Sequence, residues 1–539
     1  VNDAAAATNP SAAEAARVLF SRAVEVNQTG NLDETEKLCR AALAQVPDHV
    51  GANLTLGTTF FLKGDYDAAE RHMRAALVVR PGMVEALNNL SLVLQLQGKV
   101  DEAVACLEKA LQLRPNFPTA HSNLVYSLDH HPRTDDAVGY RVRKAWNDRY
   151  AKAMGVAHLP HDNGRDPDRK LRIGYVSGDY RNHSAAFLFL PILFGHDRRR
   201  FDVVCYSGVR VPDAMTEKCK TAATLWRDVA RLGDDQLAAV IREDRVDILV
   251  DLSGHSEANR LPVFARRPAP VQITAWGYGN GTGLDAMDYI VADRIALPPE
   301  AEPFFAEKPL RLPVLAVFGF PENADPVTPL PALAKGHFTF GNLNRTSKIT
   351  ETTIALWARV LAAVPTAKFL IKDRGLDSVP AKARIVERFA AAGVGEERLI
   401  LLGGSPRLAH MRAFGEFDLA LDPVPAGGGM TLAEGLWMGV PSVLLLGRQL
   451  SGRGPSSIMT VVGLNEFVAT SEDDYVAKAV AWTTRLEELA AIRAGLRDKI
   501  RDGPLGNHKL YVQMVEAGYR EVWRRWCAGL PPVAIEVRP

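Results

Sequence analysis

The run Asp422-Pro423-Val424-Pro425-Ala426-Gly427-Gly428-Gly429-Met430-Thr431 carries a triple glycine into a helical pattern at 432–438. Such a turn exposes backbone N–H groups at a helix start, where the helix dipole adds partial positive charge. Gly428, Gly429 and Met430 are therefore placed to hold an anion, and a diphosphate fits such a site. Thr431 can add a hydroxyl donor, and Glu434, one turn on, a carboxylate for ribose hydroxyls; a flexible loop is the alternative. A strand-like segment ends Phe340-Gly341-Asn342-Leu343-Asn344-Arg345-Thr346-Ser347-Lys348. Lys348, with Arg345 nearby, is placed to meet an anionic ligand, or is a solvated loop charge. Arg407 and His410, three residues apart, share a helix face. A cation and a flat ring there could hold a ribose and stack on a base, or simply decorate a surface. His183 lies on the loop that follows another strand, Gly174-Tyr175-Val176-Ser177. With an ordinary pKa of about 6.5 it can take a proton at neutral pH, or serve as a structural hydrogen-bonder.

Other chemistries are set aside. There is no G-x-x-x-x-G-K-[ST] for a P-loop and no G-x-S-x-G nucleophile elbow. The glycines at 277, 279, 281 and 283 lack dinucleotide spacing, so that segment reads as a tight loop bringing backbone close to a ligand. Acidic D-x-D pairs occur at 65–67 and 166–168, in a repeat turn and a linker. No metal or cofactor is expected.

These residues need elements to position them. Over 539 residues, 47% hydrophobic and 24% charged, the chain has room for three or four domains. Lys+Arg 64 against Asp+Glu 63 argues against a coat for nucleic acid or anionic membrane. Five scattered cysteines, no basic-apolar leader at Val1-Asn2-Asp3-Ala4 and no apolar stretch near 18 residues lead to the expectation of a soluble, cytoplasmic protein.

A 34-residue period links Gly30, Gly64 and Gly98; Pro47, Pro81 and Pro115; Ala42, Ala76 and Ala110; and Asp33, Asp67 and Asp101. It reads as helix, glycine turn, helix, proline stop, and resembles the tetratricopeptide repeat (TPR). Repeats are placed at 16–49, 50–83 and 84–117, with a partial fourth at 118–131, in an α/α superhelix over 1–133. Asn89 and Asn123, one period apart, could grip an extended peptide backbone on the concave face, or be solvated polar positions. A helical linker is expected at 134–169, with a helix-like stretch at 137–154. Two series of short apolar strands alternating with helices then predict two doubly wound α/β lobes, 170–330 and 331–506, separated by Pro/Gly-rich sequence at 298–331. The tail, 507–539, should start with an amphipathic helix packing back across the lobes.

The repeats, the Gly174-to-His183 run, Arg267-Pro268-Ala269-Pro270-Val271-Gln272, Trp276-Gly277-Tyr278, and the Lys348 and glycine-helix segments together resemble the O-linked N-acetylglucosamine transferase family, from about Ala16 to Cys527. The resemblance implies a GT-B fold of two Rossmann-like lobes. It implies inverting, metal-independent transfer of GlcNAc from UDP-GlcNAc to Ser/Thr hydroxyls of proteins bound through the TPR groove, with no nucleic-acid or membrane partner. It assigns His183 as general base or positioner and Lys348 as the group that neutralises the leaving diphosphate. Arg407 and His410 would hold ribose and stack on uracil, Thr431 would bind the diphosphate, and Glu434 the ribose. Trp276 and Gly277 would lie where backbone approaches the sugar. The chain departs from the animal pattern at Gly429-Met430, in place of His-Thr, at Arg345, in place of Gln, and at Ala413, in place of Arg. Its short, alanine-rich make-up resembles bacterial members. GDP-fucose or UDP-hexose as donor, or a nucleotide-binding TPR scaffold without turnover, are the alternatives.

Overall fold

The computed structural model describes residues 10–154, 160–321 and 323–538. Residues 1–9 of the expected superhelix, 155–159 of the linker, and positions 322 and 539 lie outside them.

Among the described residues of this region, seven helices form three hairpin pairs followed by a single helix: α1 (Pro10–Gln28), α2 (Leu32–Gln45), α3 (Val50–Lys63), α4 (Tyr66–Val79), α5 (Val84–Leu96), α6 (Val100–Leu113) and α7 (Pro118–Asp129). The periodic glycines turn between helices of a pair in the left-handed conformation, with φ of 78° at Gly30, 80° at Gly64 and 78° at Gly98. Ala42, Ala76 and Ala110 are fully buried, so neighbouring helices approach without a gap. The periodic aspartates bind across repeats, each to a residue 30 positions on. Lys63 Nζ donates to Asp33 at 2.6 Å, Gln97 Nε2 to Asp67 at 2.9 Å, and His131 Nε2 lies 2.9 Å from Asp101.

The helix predicted at 137–154 divides in two. α8 (Asp136–Trp146) is followed by a π-helical turn, Asn147–Ala151. Its start is capped by Asp135, which accepts from Val138 N–H at 2.9 Å.

Fourteen strands follow among the described residues: β1 (Leu171–Ser177), β2 (Phe201–Ser207), β3 (Leu225–Asp228), β4 (Ile248–Asp251), β5 (Val271–Thr274), β6 (Tyr289–Ala292), β7 (Lys308–Arg311), β8 (Thr339–Asn342), β9 (Lys368–Lys372), β10 (Leu399–Leu402), β11 (Leu419–Leu421), β12 (Ser442–Leu445), β13 (Val468–Ala469) and β14 (Ile535–Glu536). They make two parallel sheets, ordered β14-β7-β6-β5-β4-β1-β2-β3 and β10-β9-β8-β11-β12-β13. Their central strands are buried on both faces by helices, hence the continuous apolar runs such as Ile248-Leu249-Val250. In each sheet strand order reverses at one place, between β1 and β4 in the first and between β8 and β11 in the second. A ligand crevice opens at such a switch point, at the carboxyl ends of the strands.

Three expectations change. β7 lies inside the segment read as a separator; its Pro309 and flanking charges hide a strand buried between β6 and β14. β3 and the two-residue β13 and β14 are too short or too charged to show a pattern. The C-terminal helix, His508–Cys527, buries Tyr511, Met514, Val515, Tyr519, Val522 and Trp523 in the first lobe's core rather than lying across both lobes. The chain then adds β14 to that lobe's sheet. Among the described residues no helix is long and apolar enough to cross a membrane.

Candidate active site

The second lobe's switch point holds the residues read from sequence as a candidate anion site. After β8 the chain turns through Arg345 into a single 3-10 turn, Thr346–Lys348. After β11 it runs from Asp422 through the glycines into the helix Met430–Trp437. Lys348 Nζ donates to Gly427 O at 2.5 Å, bringing the two loops together. Desolvation pushes the Lys348 ammonium down to about 8, with Arg345 adding repulsion and Asp422 opposing both. The helix start has no side-chain cap, so the N–H groups of Met430, Thr431 and Leu432 have no partner in the helix. Gly429 is exposed at the N-cap. The Met430 side chain is packed in the second lobe's core, so what this residue offers at the helix start is its backbone N–H.

Glu434 is buried and paired with Arg407, at 3.1 Å. Burial raises its carboxyl pKa, and Arg407 holds it down. The Arg407 guanidinium also stands 3.7 Å over the ring of Phe187, in the first lobe's helix Ala186–Gly195, and donates to Gly319 O at 3.3 Å. Arg407 therefore spans the cleft. His410 sits edge-on to Phe414, at 6.2 Å between ring centres. Burial, with Lys372 adding to it, pushes His410 down to about 4, so at pH 7 it presents a neutral ring able to stack on a base. Thr431 is half-buried beside the free N–H groups.

At the first lobe's switch point the loop after β1 carries Asp179 and His183. His183 Nδ1 is shared between the Ala185 N–H, at 3.3 Å, and the Asp179 carboxylate, at 3.5 Å. With the amide as donor, Nε2 carries the imidazole proton; with Asp179 taking an Nδ1 proton, Nε2 is free to accept one. Burial lowers the His183 pKa, Asp179 opposes that, and Arg345 reaches across from the second lobe to lower it further. Arg345 is exposed, and its side chain makes no hydrogen bond or ion pair among the described residues.

A third wall comes from the repeats. Tyr126 and His130 lie one turn apart at the end of α7, with rings 4.7 Å apart and His130 Nδ1 2.9 Å from Tyr126 O. Burial, followed by the charges of Lys348 and Arg345, keeps His130 below its ordinary pKa, against its bond to Tyr126 O and the Asp129 charge. Gly98, at the turn between α5 and α6, touches the backbone beside Lys348: a Cβ there would stand 2.8 Å from Ile349 O. The more distant expectation, Asn89 and Asn123, is joined through Asn88. Asn123 Nδ2 donates to Asn88 Oδ1 at 2.8 Å, and Asn88 Nδ2 to Asn89 Oδ1 at 3.4 Å. This leaves Asn89 Nδ2 and Asn123 Oδ1 without a partner among the described residues.

The glycine loop after β5 brings its backbone close to protein on one side, while Gly279 stays exposed. A Cβ on Gly277 would stand 1.6 Å from Leu252 O, one on Gly279 3.0 Å from Ser451 Cβ, and one on Gly283 2.7 Å from Arg143 Cβ. Trp276 turns its indole to the C-terminal helix, donating to Tyr511 O–H at 2.8 Å. Neighbouring Tyr278 donates to Asp129 of α7.

Asp422, Asp179, Phe187, Tyr126 and His130 were not singled out from sequence. Asp422 and Asp179 carried a signal, a carboxylate at a strand's carboxyl end. Tyr126 and His130 carried none, since a repeat position says nothing of what lies across the cleft.

Residues 100–319 and 330–515 match the family model described as glycosyl transferase family 41, and 54–118 match a tetratricopeptide repeat model. A curated relative from Petunia hybrida, "Probable UDP-N-acetylglucosamine--peptide N-acetylglucosaminyltransferase SPINDLY", is 37% identical over 406 residues, which is 73% of this chain and 43% of the relative. A relative of the same description named SEC, from Arabidopsis thaliana, is 26% identical over 404 residues, 72% of this chain and 41% of the relative. The chain thus spans less than half the length of these curated relatives. Among solved structures, a lysine-to-methionine mutant of Thermobaculum terrenum O-GlcNAc transferase is 35% identical, with a TM-score of 0.89, covering 97% of this chain and 99% of that one. Two parallel-sheet lobes behind a TPR array, with the family match running across both lobes, establish that the chain belongs to glycosyl transferase family 41.

Proposed function

We propose that the protein transfers GlcNAc from UDP-GlcNAc to Ser/Thr hydroxyls of proteins, with inversion and without a metal, the TPR face holding the acceptor. The observation that carries this reading is the desolvated Lys348 ammonium beside the uncapped start of helix Met430–Trp437. Lys348, Arg345 and the helix N–H groups supply the positive charge that a metal would otherwise bring to a leaving diphosphate. Glu434 would take ribose hydroxyls through the oxygen that Arg407 does not use, and His410 would stack on the base. The acceptor oxygen bonds to the anomeric carbon as the bond to the β-phosphate oxygen breaks, and that electron pair leaves with UDP. The acceptor proton passes to His183 Nε2 while Asp179 holds Nδ1–H. Tyr126 and His130, on the TPR wall, face the entering acceptor.

Calorimetric titration of UDP, GDP and UDP-GlcNAc, with transfer to a mixed protein lysate, tests this on the wild type and Lys348→Ala. The variant should lose UDP affinity and about 10²–10³-fold in transfer rate. Unchanged binding and transfer would sink the diphosphate assignment. Preference for GDP would move the donor to a guanine-nucleotide sugar, and binding without turnover would favour a scaffold.

A further inference from the structure

The Gly427–Gly428 peptide group lies between two opposite charges. Its carbonyl accepts from Lys348 Nζ at 2.5 Å. Its N–H donates to both oxygens of Asp422, at 3.0 and 2.9 Å. Asp422 is only 4% exposed. Asn344 Nδ2, from the turn leading to Lys348, also donates to Asp422 Oδ1, at 3.1 Å. Nothing but glycine fits over this carboxylate: a Cβ on Gly427 would stand 2.2 Å from Asp422 Oδ2, and one on Gly428 2.8 Å from Asn344 Oδ1.

We infer that Asp422 is a positioning residue of the diphosphate site, acting on Lys348 through the Gly427–Gly428 peptide. The inference rests on the diphosphate reading given above. The carboxylate turns the peptide so that its carbonyl meets the lysine and the chain beyond it enters the helix with Met430 and Thr431 N–H groups free. It is also the counter-charge that keeps the ammonium protonated before a ligand arrives. One ammonium N–H is used on Gly427, and two remain for phosphate oxygens.

The charged and titratable groups facing Lys348 are Asp422 from the end of β11, Arg345 on its own turn and His130 after α7. Those facing Asp422 are Lys348 and the Tyr475 hydroxyl, which donates to Asp422 O at 3.0 Å. Burial raises the Asp422 carboxyl to about 6, with Lys348 opposing, and Lys348 is lowered to about 8. Both are therefore mainly ionised at pH 7. Without the aspartate charge, Lys348 should titrate about 1 unit lower or more.

The experiment is calorimetric titration of UDP, and of GDP in parallel, from pH 7 to 9 on the full chain. It compares wild type, Asp422→Asn, Lys348→Ala and the double variant. The last phosphate proton of the nucleotide is already lost above a pKa of about 6, and ionisation of the base near the top of the range is common to all variants, so a fall that differs between variants reports the protein. Wild type should break near pH 8, as the ammonium is lost with rising pH. Asp422→Asn should break about one unit lower, reaching about tenfold weaker affinity than wild type at pH 9. Neither variant lacking Lys348 should break. Asn still accepts from Gly428 N–H, so a merely structural role would weaken binding evenly without moving the break, and that result overturns the inference. A break surviving in Lys348→Ala also overturns it. Wild type that binds neither nucleotide refutes the diphosphate reading itself. If Asp422→Asn does not fold, Asn344→Ala withdraws the amide that holds Asp422: weaker UDP binding supports the inference, and unchanged affinity defeats it.

Discussion

One buried carboxylate ties the last repeat helix to the first lobe, and its removal should loosen that joint measurably. Asp129, at the end of α7, is 4% exposed and accepts from Arg143 Nη1 at 2.8 Å; Arg143 is 1% exposed. The other Asp129 oxygen accepts from Tyr278. Asp129→Ala leaves a buried guanidinium without its main counter-charge and a buried hydroxyl without its acceptor. Breaking such a pair costs about 3–5 kcal/mol. Glu307 also acts on Arg143 electrostatically, which places the expectation near the low end, about 3 kcal/mol. That corresponds to a roughly 10²-fold fall in hydrogen-exchange protection over 118–146, read by mass spectrometry on the folded chain. Replacing the whole cluster by apolar groups, Asp129→Leu with Arg143→Met and Tyr278→Phe, removes the stranded charge and hydroxyl and should restore protection to within about tenfold of wild type. A loss of less than about fivefold in Asp129→Ala, or a triple variant as unprotected as the single, would show that the buried carboxylate does not hold the joint.

Two further outcomes can be checked. His183 must be neutral to accept a proton and burial holds its pKa down, so transfer should persist as pH falls past about 6.5 and be lost only below that. His183→Ala should abolish this acid limb, lower transfer about 10²–10⁴-fold and spare UDP affinity; a limb that survives the substitution contradicts the role. Gly277→Ala drives a Cβ to 1.6 Å from Leu252 O, whereas a Cβ on Gly429 meets nothing within 4 Å. Thermal unfolding should therefore show a large loss for the first and almost none for Gly429→Ala. Equal effects would mean that the packing account of this loop is wrong.

What one residue type and its spacing can decide was legible in the chain. A 34-residue period of Gly, Ala and Pro specifies helix, left-handed turn and close packing locally, so the pairs α1–α2, α3–α4 and α5–α6 follow from the pattern. Most strands appeared as short apolar runs because the central ones are buried on both faces, and the candidate anion site stood out because a glycine run entering a helix leaves backbone N–H groups unpaired. Contacts between distant segments were not legible. No local rule states that Asp422 and Lys348 grip opposite ends of one peptide group, that Arg407 reaches Phe187 of the other lobe, or that Tyr126 and His130 close the cleft from the repeats. The glycines at 277–283 show the limit most plainly. Sequence marked them as places where something comes close, and tertiary packing made that something Leu252, Ser451 and Arg143. Backbone preference and burial pattern act over a few residues, whereas a site joining three parts of the chain exists only once its sheets and helices have packed.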